Sequence, residues 1–204
     1  MLRLAIFGSW ALLSTAQALA APLTVRVVDA KGRPVKDAVV SLKAGQSGQA
    51  TGSGNYTVTQ KDMEFRPFVL VVPVGARVSF SNFDPTRHHV YSFSSAKRFE
   101  LKLFAKDQSR SVTFDKPGVV ALGCNIHDGM TAFIYVADSR WTAKTGADGI
   151  AKLASAPDAS GRLWVWHPYL RAKANVVERQ VPASQRTASF TVELRSPPMV
   201  SHGY

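Results

Sequence analysis

Short runs of β-branched and aromatic residues, separated by turn sequences, fill most of the chain between residues 56 and 138. Seven runs follow one another: YTVTQKDMEF, FVLVVP, ARVSFSN, HVYSFS, SRSVTFD, VVALGC and TAFIYVAD. Turn sequences such as PVGA and DKPG lie between them. Short strands at this spacing are typical of a β-sandwich or barrel. The sequence therefore predicts an all-β fold without an amphipathic helix, in which residues 95–108 form a looser excursion.

The segments on either side of this region also have strand composition. LTVRVVDAKGRPVKDAVVSLK alternates apolar and polar residues around a turn, and RLWVWHP and TASFTVELR follow near the other end. The Gly- and Ser-rich stretch 44–55 has the composition of a loop or linker. Residues 197–204 are expected to be a flexible tail.

The first 21 residues have the pattern of a secretory signal peptide. Arg3 precedes an apolar run of about ten residues, and Ala18 and Ala20 are the small residues of a cleavage site. The run is too short to span a bilayer, and no later run approaches the length that a span needs. The pattern predicts a mature chain without a transmembrane segment, in the periplasm or secreted.

The net charge of +11 is spread along the chain. A nucleic-acid-binding protein concentrates its basic residues on one face or one helix, so nucleic acid is not an expected partner. A basic exterior can instead steer an acidic protein or a membrane surface toward the molecule.

The single cysteine, Cys124, stands in the sequence CNIHDGM, ahead of His127 and Met130. One cysteine cannot form an internal disulfide, and a free thiol in an oxidising compartment is a liability unless it is buried or metal-bound. Cys124 is therefore either a small buried hydrophobe or a metal ligand. Thiolate, imidazole and thioether are the ligands that copper uses when it carries electrons.

A further ligand would have to come from another loop. The sequence NFDPTRHHV offers His88 and His89 at the end of a predicted strand. Adjacent side chains point to opposite sides of an extended backbone, so one of the two is expected to face the metal.

Residues 56–137 resemble a cupredoxin, the small blue-copper fold, with a ligand loop of amicyanin-type spacing. The residues that carry the resemblance are Asn82, Asp84, His88 and Val90 in one motif and Pro117, Gly118, Cys124, His127 and Met130 in the other. It implies a Greek-key β-sandwich that binds one copper ion, Cu(I) or Cu(II), through His88, Cys124, His127 and Met130. It also implies that the amide of Asn82 ties the two ligand loops together. His89 is then an alternative ligand or a partly exposed neighbour.

The flanking segments 22–48 and 138–196 resemble the two parts of a carboxypeptidase regulatory-like β-sandwich. If they form one module, the copper domain is inserted into a loop of that sandwich, and the two borders should lie close together. The combination resembles exported proteins labelled methylamine-utilisation or plastocyanin-like.

The resemblance implies a single-electron carrier, not an enzyme. His127 would lie nearest the surface, and Pro85, Ile126 and Gly129 would form an apolar patch on which redox partners dock. The basic exterior would suit an acidic partner such as a cytochrome. Two alternatives stay open: a copper chaperone or buffer that transfers no electrons, and an interaction module with a structural copper site.

Overall fold

The computed structural model describes residues 22–45, 50, 54–127 and 129–197. The predicted signal peptide and residues 198–204 of the predicted tail lie outside the described residues. The described strands are β1 (Leu23–Asp29), β2 (Val39–Ala44), β3 (Tyr56–Lys61), β4 (Glu64–Arg66), β5 (Val69–Pro73), β6 (Ala76–Asn82), β7 (His88–Ser94), β8 (Lys97–Phe104), β9 (Ser109–Phe114), β10 (Gly118–Gly123), β11 (Thr131–Ala137), β12 (Thr142–Lys144), β13 (Ile150–Leu153), β14 (Gly161–Trp166), β15 (Val176–Val181) and β16 (Thr187–Val192).

The predicted all-β class is confirmed. The one helix that the described residues contain is the short 3₁₀ turn Lys173–Asn175. No helix in this part of the chain has the length and apolar character that a membrane crossing requires.

The strands form four sheets. Their strand orders are β13-β1-β16, β12-β2-β14-β15, β5-β11-β10-β7-β8 and β4-β3-β6-β9. Most neighbours are antiparallel, whereas β1 with β16, β3 with β6, and β5 with β11 are parallel. Apolar residues alternate along β1 and β6, so that each of these strands turns one face inward.

Two separate cores lie between pairs of sheets. One contains Val25, Leu42 and Leu163, from the sheets that hold β1 and β2. The other contains Phe80 and Ile134, from the four-stranded sheet of β6 and the five-stranded sheet of β11. Each core is therefore the interior of a β-sandwich, and the second sandwich contains the predicted copper region.

A third apolar cluster joins the two sandwiches. Val39 and Trp166 of one sandwich pack with Val69 and Phe133 of the other. The rings of Phe133 and Trp166 have their centroids 5.9 Å apart at 66°. The five-stranded sheet is therefore apolar on both faces in this region, with one face toward its own core and the other toward the neighbouring sandwich.

The chain leaves the first sandwich and returns to it through adjacent strands. β2 pairs antiparallel with β12, with Ser41 opposite Thr142. The same junction contains an ion pair of 2.7 Å between Lys43 and Asp138. The prediction that residues 22–48 and 138–196 form one carboxypeptidase regulatory-like domain stays a prediction, but the topology brings its two borders side by side.

The structure corrects two of the predicted elements and adds a strand that was not predicted. The run YTVTQKDMEF is two strands, because Asp62 and Met63 form a turn with φ of 56° and 58°. Residues 97–104, expected to be irregular, form β8, and the unpredicted β15 covers 176–181. Both β8 and β15 are at the edge of a sheet. Edge strands often carry charged residues. In β15, VVERQV, these interrupt the apolar alternation, whereas β8 alternates charged and apolar residues from Arg98 to Leu103 and so did carry a strand signal.

Candidate metal centre

Two neighbouring strands bring the predicted ligands to one end of the second sandwich. His88 begins β7, and Cys124 directly follows β10. These strands are antiparallel neighbours, with Tyr91 opposite Gly123. The start of β7 therefore lies beside the end of β10, and the turn that leads into β11 supplies His127 and Met130.

The structure brings the predicted histidine and cysteine ligands together. Metal-ligating atoms of His88, Cys124 and His127 all lie within 4.8 Å of one another. The Cys124 Sγ is 3.9 Å from the His88 Nδ1, and the two imidazole centroids are 4.9 Å apart. His88 and Cys124 are buried, and His127 is half-buried. The arrangement offers one sulfur and two nitrogens to a common point, screened from water.

Asp84 fixes the tautomer of His88. The His88 Nε2 is 2.7 Å from the Asp84 Oδ2, and both side chains are buried. A carboxylate only accepts, so Nε2 carries the hydrogen; in a neutral ring the lone pair is then on Nδ1, the nitrogen that faces the cysteine. A carboxylate behind a ligating histidine is a common device that orients the ring and raises its basicity.

The same carboxylate also closes the turn between β3 and β4. Oδ1 of Asp84 accepts from the Asp62 amide at 2.7 Å, and Oδ2 accepts from the Met63 amide at 3.0 Å. Burial disfavours the charged form of Asp84, but the bonds from the Met63 amide, the His88 ring and the Asp62 amide outweigh it. The pKa of Asp84 is therefore lowered. This role was not predicted, although an aspartate four residues before a ligand histidine is a signal for it.

Asn82 holds the His88 loop. Its Oδ1 accepts from the Asp84 amide at 2.9 Å, and its Nδ2 donates to the carbonyls of Thr86 at 2.8 Å and Phe104 at 3.1 Å. Both amide hydrogens are thus used within the described residues by the loop itself and by β8. The hydrogen bonds of the Asn82 side chain among the described residues go to the His88 loop and to β8, and its implied tie to the Cys124 loop stays a prediction.

His127 and Met130 lie in a tight turn. The Met130 amide donates to the His127 carbonyl at 3.3 Å, and Gly129 has a φ of 84°. Met130 is buried in the same apolar cluster as Cys124. Among the described residues, the buried Nδ1 of His127 has no hydrogen-bond partner. A buried imidazole nitrogen without a partner costs free energy, which a metal ion at this point would recover.

His89 lies outside the three-residue group. Its Nε2 is 2.9 Å from Glu100 Oε1, and its ring is 5.6 Å from that of Tyr91. His88 and His89 therefore point to opposite faces of the sheet, as the extended backbone predicts.

Replacing Asp84 with asparagine should weaken both the fold and the metal site. In asparagine one of the two carboxylate oxygens becomes an NH₂ group, which donates and cannot accept, so at least one of the three bonds to Asp84 is lost. The free energy of unfolding of the metal-free protein should therefore fall by about 1.5–3 kcal/mol. Copper affinity should fall about 10–100-fold, the usual cost of a lost partner behind a ligand. Denaturant unfolding and competitive copper titration measure the two effects.

Asp107→Asn is the matched control, because Asp107 is exposed. It should change the free energy of unfolding by less than about 0.5 kcal/mol. An Asp84→Asn protein with unchanged copper affinity would contradict the orienting role.

Several solved structures are similar to part of the chain. A purple cupredoxin from Nitrosopumilus maritimus is 19% identical, with 41% of this chain and 100% of that chain covered and a TM-score of 0.38. A reduced Cu(I) form of an amicyanin variant at pH 4 is 21% identical, with 48% and 98% covered and a TM-score of 0.39. A copper-containing nitrite reductase from Thermus scotoductus is 25% identical, with 56% and 28% covered and a TM-score of 0.40.

No family model matches the chain, and no curated protein gives a significant match. The purple cupredoxin, the amicyanin variant and the nitrite reductase are each of low identity and match only part of this chain.

Proposed function

We propose that the chain binds one copper ion through His88, Cys124, His127 and Met130 and carries single electrons between redox proteins. The observation that supports this most is the convergence of two imidazoles and one thiolate within 4.8 Å. Two histidines and a cysteine in a plane, with a weak thioether above, are the ligand set of electron-transfer copper. Bound copper would supply a Cu(II)/Cu(I) couple.

The residues around the site support the redox role in two ways. Asp84 and the β7 backbone hold His88 before any metal binds, so little rearrangement is needed when the oxidation state changes. Burial of His88, Cys124 and Met130 excludes water from the sulfur ligands. Such a rigid, dry site favours an electron carrier over a chaperone, which must release its ion, and over an enzyme, which must admit a substrate.

The proposal extends to the cellular location of the protein and to its domain boundaries. We infer that residues 1–21 direct export and that copper is acquired in the periplasm. Residues 56–137 would form the copper domain. The flanking segments would form a second β-sandwich that supports the copper domain through the apolar cluster of Val39 and Trp166. An acidic redox protein, such as a cytochrome, is the partner class that a chain of net charge +11 suits.

Spectroscopy of the copper-loaded mature chain tests the proposal. A blue centre with narrow copper hyperfine splitting in EPR and a reversible potential is expected. Tightly bound, colourless Cu(I) without an accessible couple would instead indicate a copper chaperone or buffer. Copper whose removal changes only stability would indicate an interaction module with a structural ion.

Substitution of Met130 with leucine tests the axial position separately. Loss of a thioether donor disfavours Cu(II) more than Cu(I), so the reduction potential should rise while the blue colour remains. Protein-film voltammetry measures the shift. A potential unchanged in Met130→Leu would place this methionine in the core alone.

A further inference from the structure

The five-stranded sheet has one face that its neighbouring sandwich covers only in part. The covered part includes Phe133 and Tyr135 of β11. Beyond it, on β7 and β10, the same face is open: Phe93 is 76% exposed, Ala121 is exposed, and Tyr91 is half-exposed. An aromatic side chain exposed to this degree beside an established apolar interface is typical of a surface that binds a partner.

Tyr91 connects this surface to the cysteine ligand. A Cβ atom at Gly123 would lie 2.7 Å from Tyr91 Cζ and 2.8 Å from its Oη. The phenol end of the ring therefore lies directly on the backbone of Gly123, which a larger residue would prevent. The Tyr91 ring is half-exposed, and its phenol end contacts Gly123. Gly123 is bonded to Cys124, so the ring reaches from the surface to the residue next to the proposed copper ligand.

Further aromatic contacts extend the surface along β7. The Tyr91 ring is 5.6 Å from the His89 ring on one side and 5.2 Å from the Phe93 ring on the other. These residues alternate along β7 and share its outward face. A continuous row of rings thus leads from beside His88 to the exposed Phe93.

Two exposed cations flank the aromatic row. Arg98 pairs with Phe93 across the β7–β8 ladder, and Lys102 lies further along β8. Among the described residues, neither is in an ion pair with a carboxylate, whereas the nearby Glu100 is held by His89. An apolar centre with free positive charge at its border fits an acidic protein, and the net charge of +11 opposes pairing with a second copy.

We propose that this surface, which consists of Tyr91, Phe93, Arg98, Lys102 and Ala121 and is called here the Tyr91 face, is a docking site for an acidic redox protein. Tyr91 and Gly123 provide its electronic contact with Cys124. The inference rests on the proposed electron-carrier function and adds a second route to the one expected at His127. In one transfer the partner would give up one electron to the copper that His88, Cys124, His127 and Met130 would hold; no bond would be made or broken, and no proton would move.

The docking part is tested without copper. Hexacyanochromate(III), a redox-inert paramagnetic trianion, is titrated into isotope-labelled metal-free protein while amide NMR signals are recorded. The signals of Phe93, Arg98 and Lys102 should broaden first, and Phe93→Glu should suppress that broadening. Broadening centred on the other sandwich or on the Ile126 turn would overturn the proposal. Self-association through the Tyr91 face, seen as slower tumbling without the probe, would assign the surface to a second copy and overturn it too.

The electronic part is tested with hexacyanoferrate(III), which oxidises the reduced, copper-loaded protein by one electron and becomes hexacyanoferrate(II). Tyr91→Leu and Phe93→Glu should each lower the second-order rate constant on the order of tenfold. Their visible spectra and reduction potentials should not change. Tyr91→Phe, which keeps the ring on Gly123, should retain the rate.

Phe83→Glu is the charge-matched control. Phe83 is 49% exposed, but it follows β6 in the other sheet of the sandwich. It should change the rate less than twofold. The route through Tyr91 would be overturned if Phe83→Glu lowered the second-order rate constant for oxidation while Tyr91→Leu and Phe93→Glu both left it unchanged. Failure of the copper site itself would appear instead as a missing blue spectrum, and the metal-free titration would still decide whether the Tyr91 face binds anions.

Discussion

Replacing Cys124 with serine is expected to remove the intense visible absorption of the copper-loaded protein. That absorption arises from charge transfer between a thiolate and Cu(II), and Cys124 is the only cysteine in the chain. Serine has nearly the same volume as cysteine, and its hydroxyl at this buried position, where Cys124 is 7% exposed, should cost about 1–3 kcal/mol, so the fold should persist. Copper affinity should fall by more than the roughly 10–100-fold that an outer partner costs, because a neutral hydroxyl replaces a charged sulfur.

Two measurements make this result interpretable. Far-ultraviolet circular dichroism should show unchanged β-structure in Cys124→Ser, so that lost colour cannot be attributed to unfolding. Met130→Leu, a substitution of similar size in the same apolar cluster, should remain blue. Strong blue absorption that survives in Cys124→Ser would exclude the cysteine as the copper ligand and with it the proposed site.

The sequence predicts the strands whose residues alternate most clearly. β6 and β10 are central strands with alternating buried positions, and both were expected from composition. β8 was missed although its sequence, KRFELKLF, alternates charged and apolar residues from Arg98 to Leu103, because it holds four charged residues and only its last residue is buried. β8 is an edge strand, and charged residues are common there because they oppose edge-to-edge pairing.

In the candidate site, too, some residues could be predicted from the sequence and others could not. Cys124, His127 and Met130 stand out by residue type and spacing, because copper needs particular donors, whereas the choice of His88 over His89 was implied only by the resemblance to cupredoxins. The partners of Asn82 and Asp84 could not, because a side-chain amide or carboxylate has several backbone groups within reach. The joining cluster of Val39 and Trp166 was also hidden, since an apolar residue in a strand looks the same in a core and in a contact between sandwiches.

Adjacent histidines provide the sharpest test of how the sheet selects ligands. His88→Ala is expected to abolish the blue spectrum and to lower copper affinity more than about 100-fold, since it removes an imidazole that Asp84 has already oriented. His89→Ala is expected to keep the spectrum, because the His89 ring lies on the opposite face and bonds to Glu100. Competitive copper titration and visible spectroscopy on both proteins measure the difference.

The contrast depends on one backbone relationship. Residues 88 and 89 differ by one position in β7, and side chains alternate between faces of a strand. A shift of the strand by one residue would exchange the two rings and place His89 beside Cys124. His89→Ala losing colour while His88→Ala keeps it would therefore show that β7 has the opposite register. Loss of colour in both variants would show instead that the bond between His89 and Glu100 of β8 supports the copper site. In that case the double variant Glu100→Gln with His89→Gln should also lose its colour.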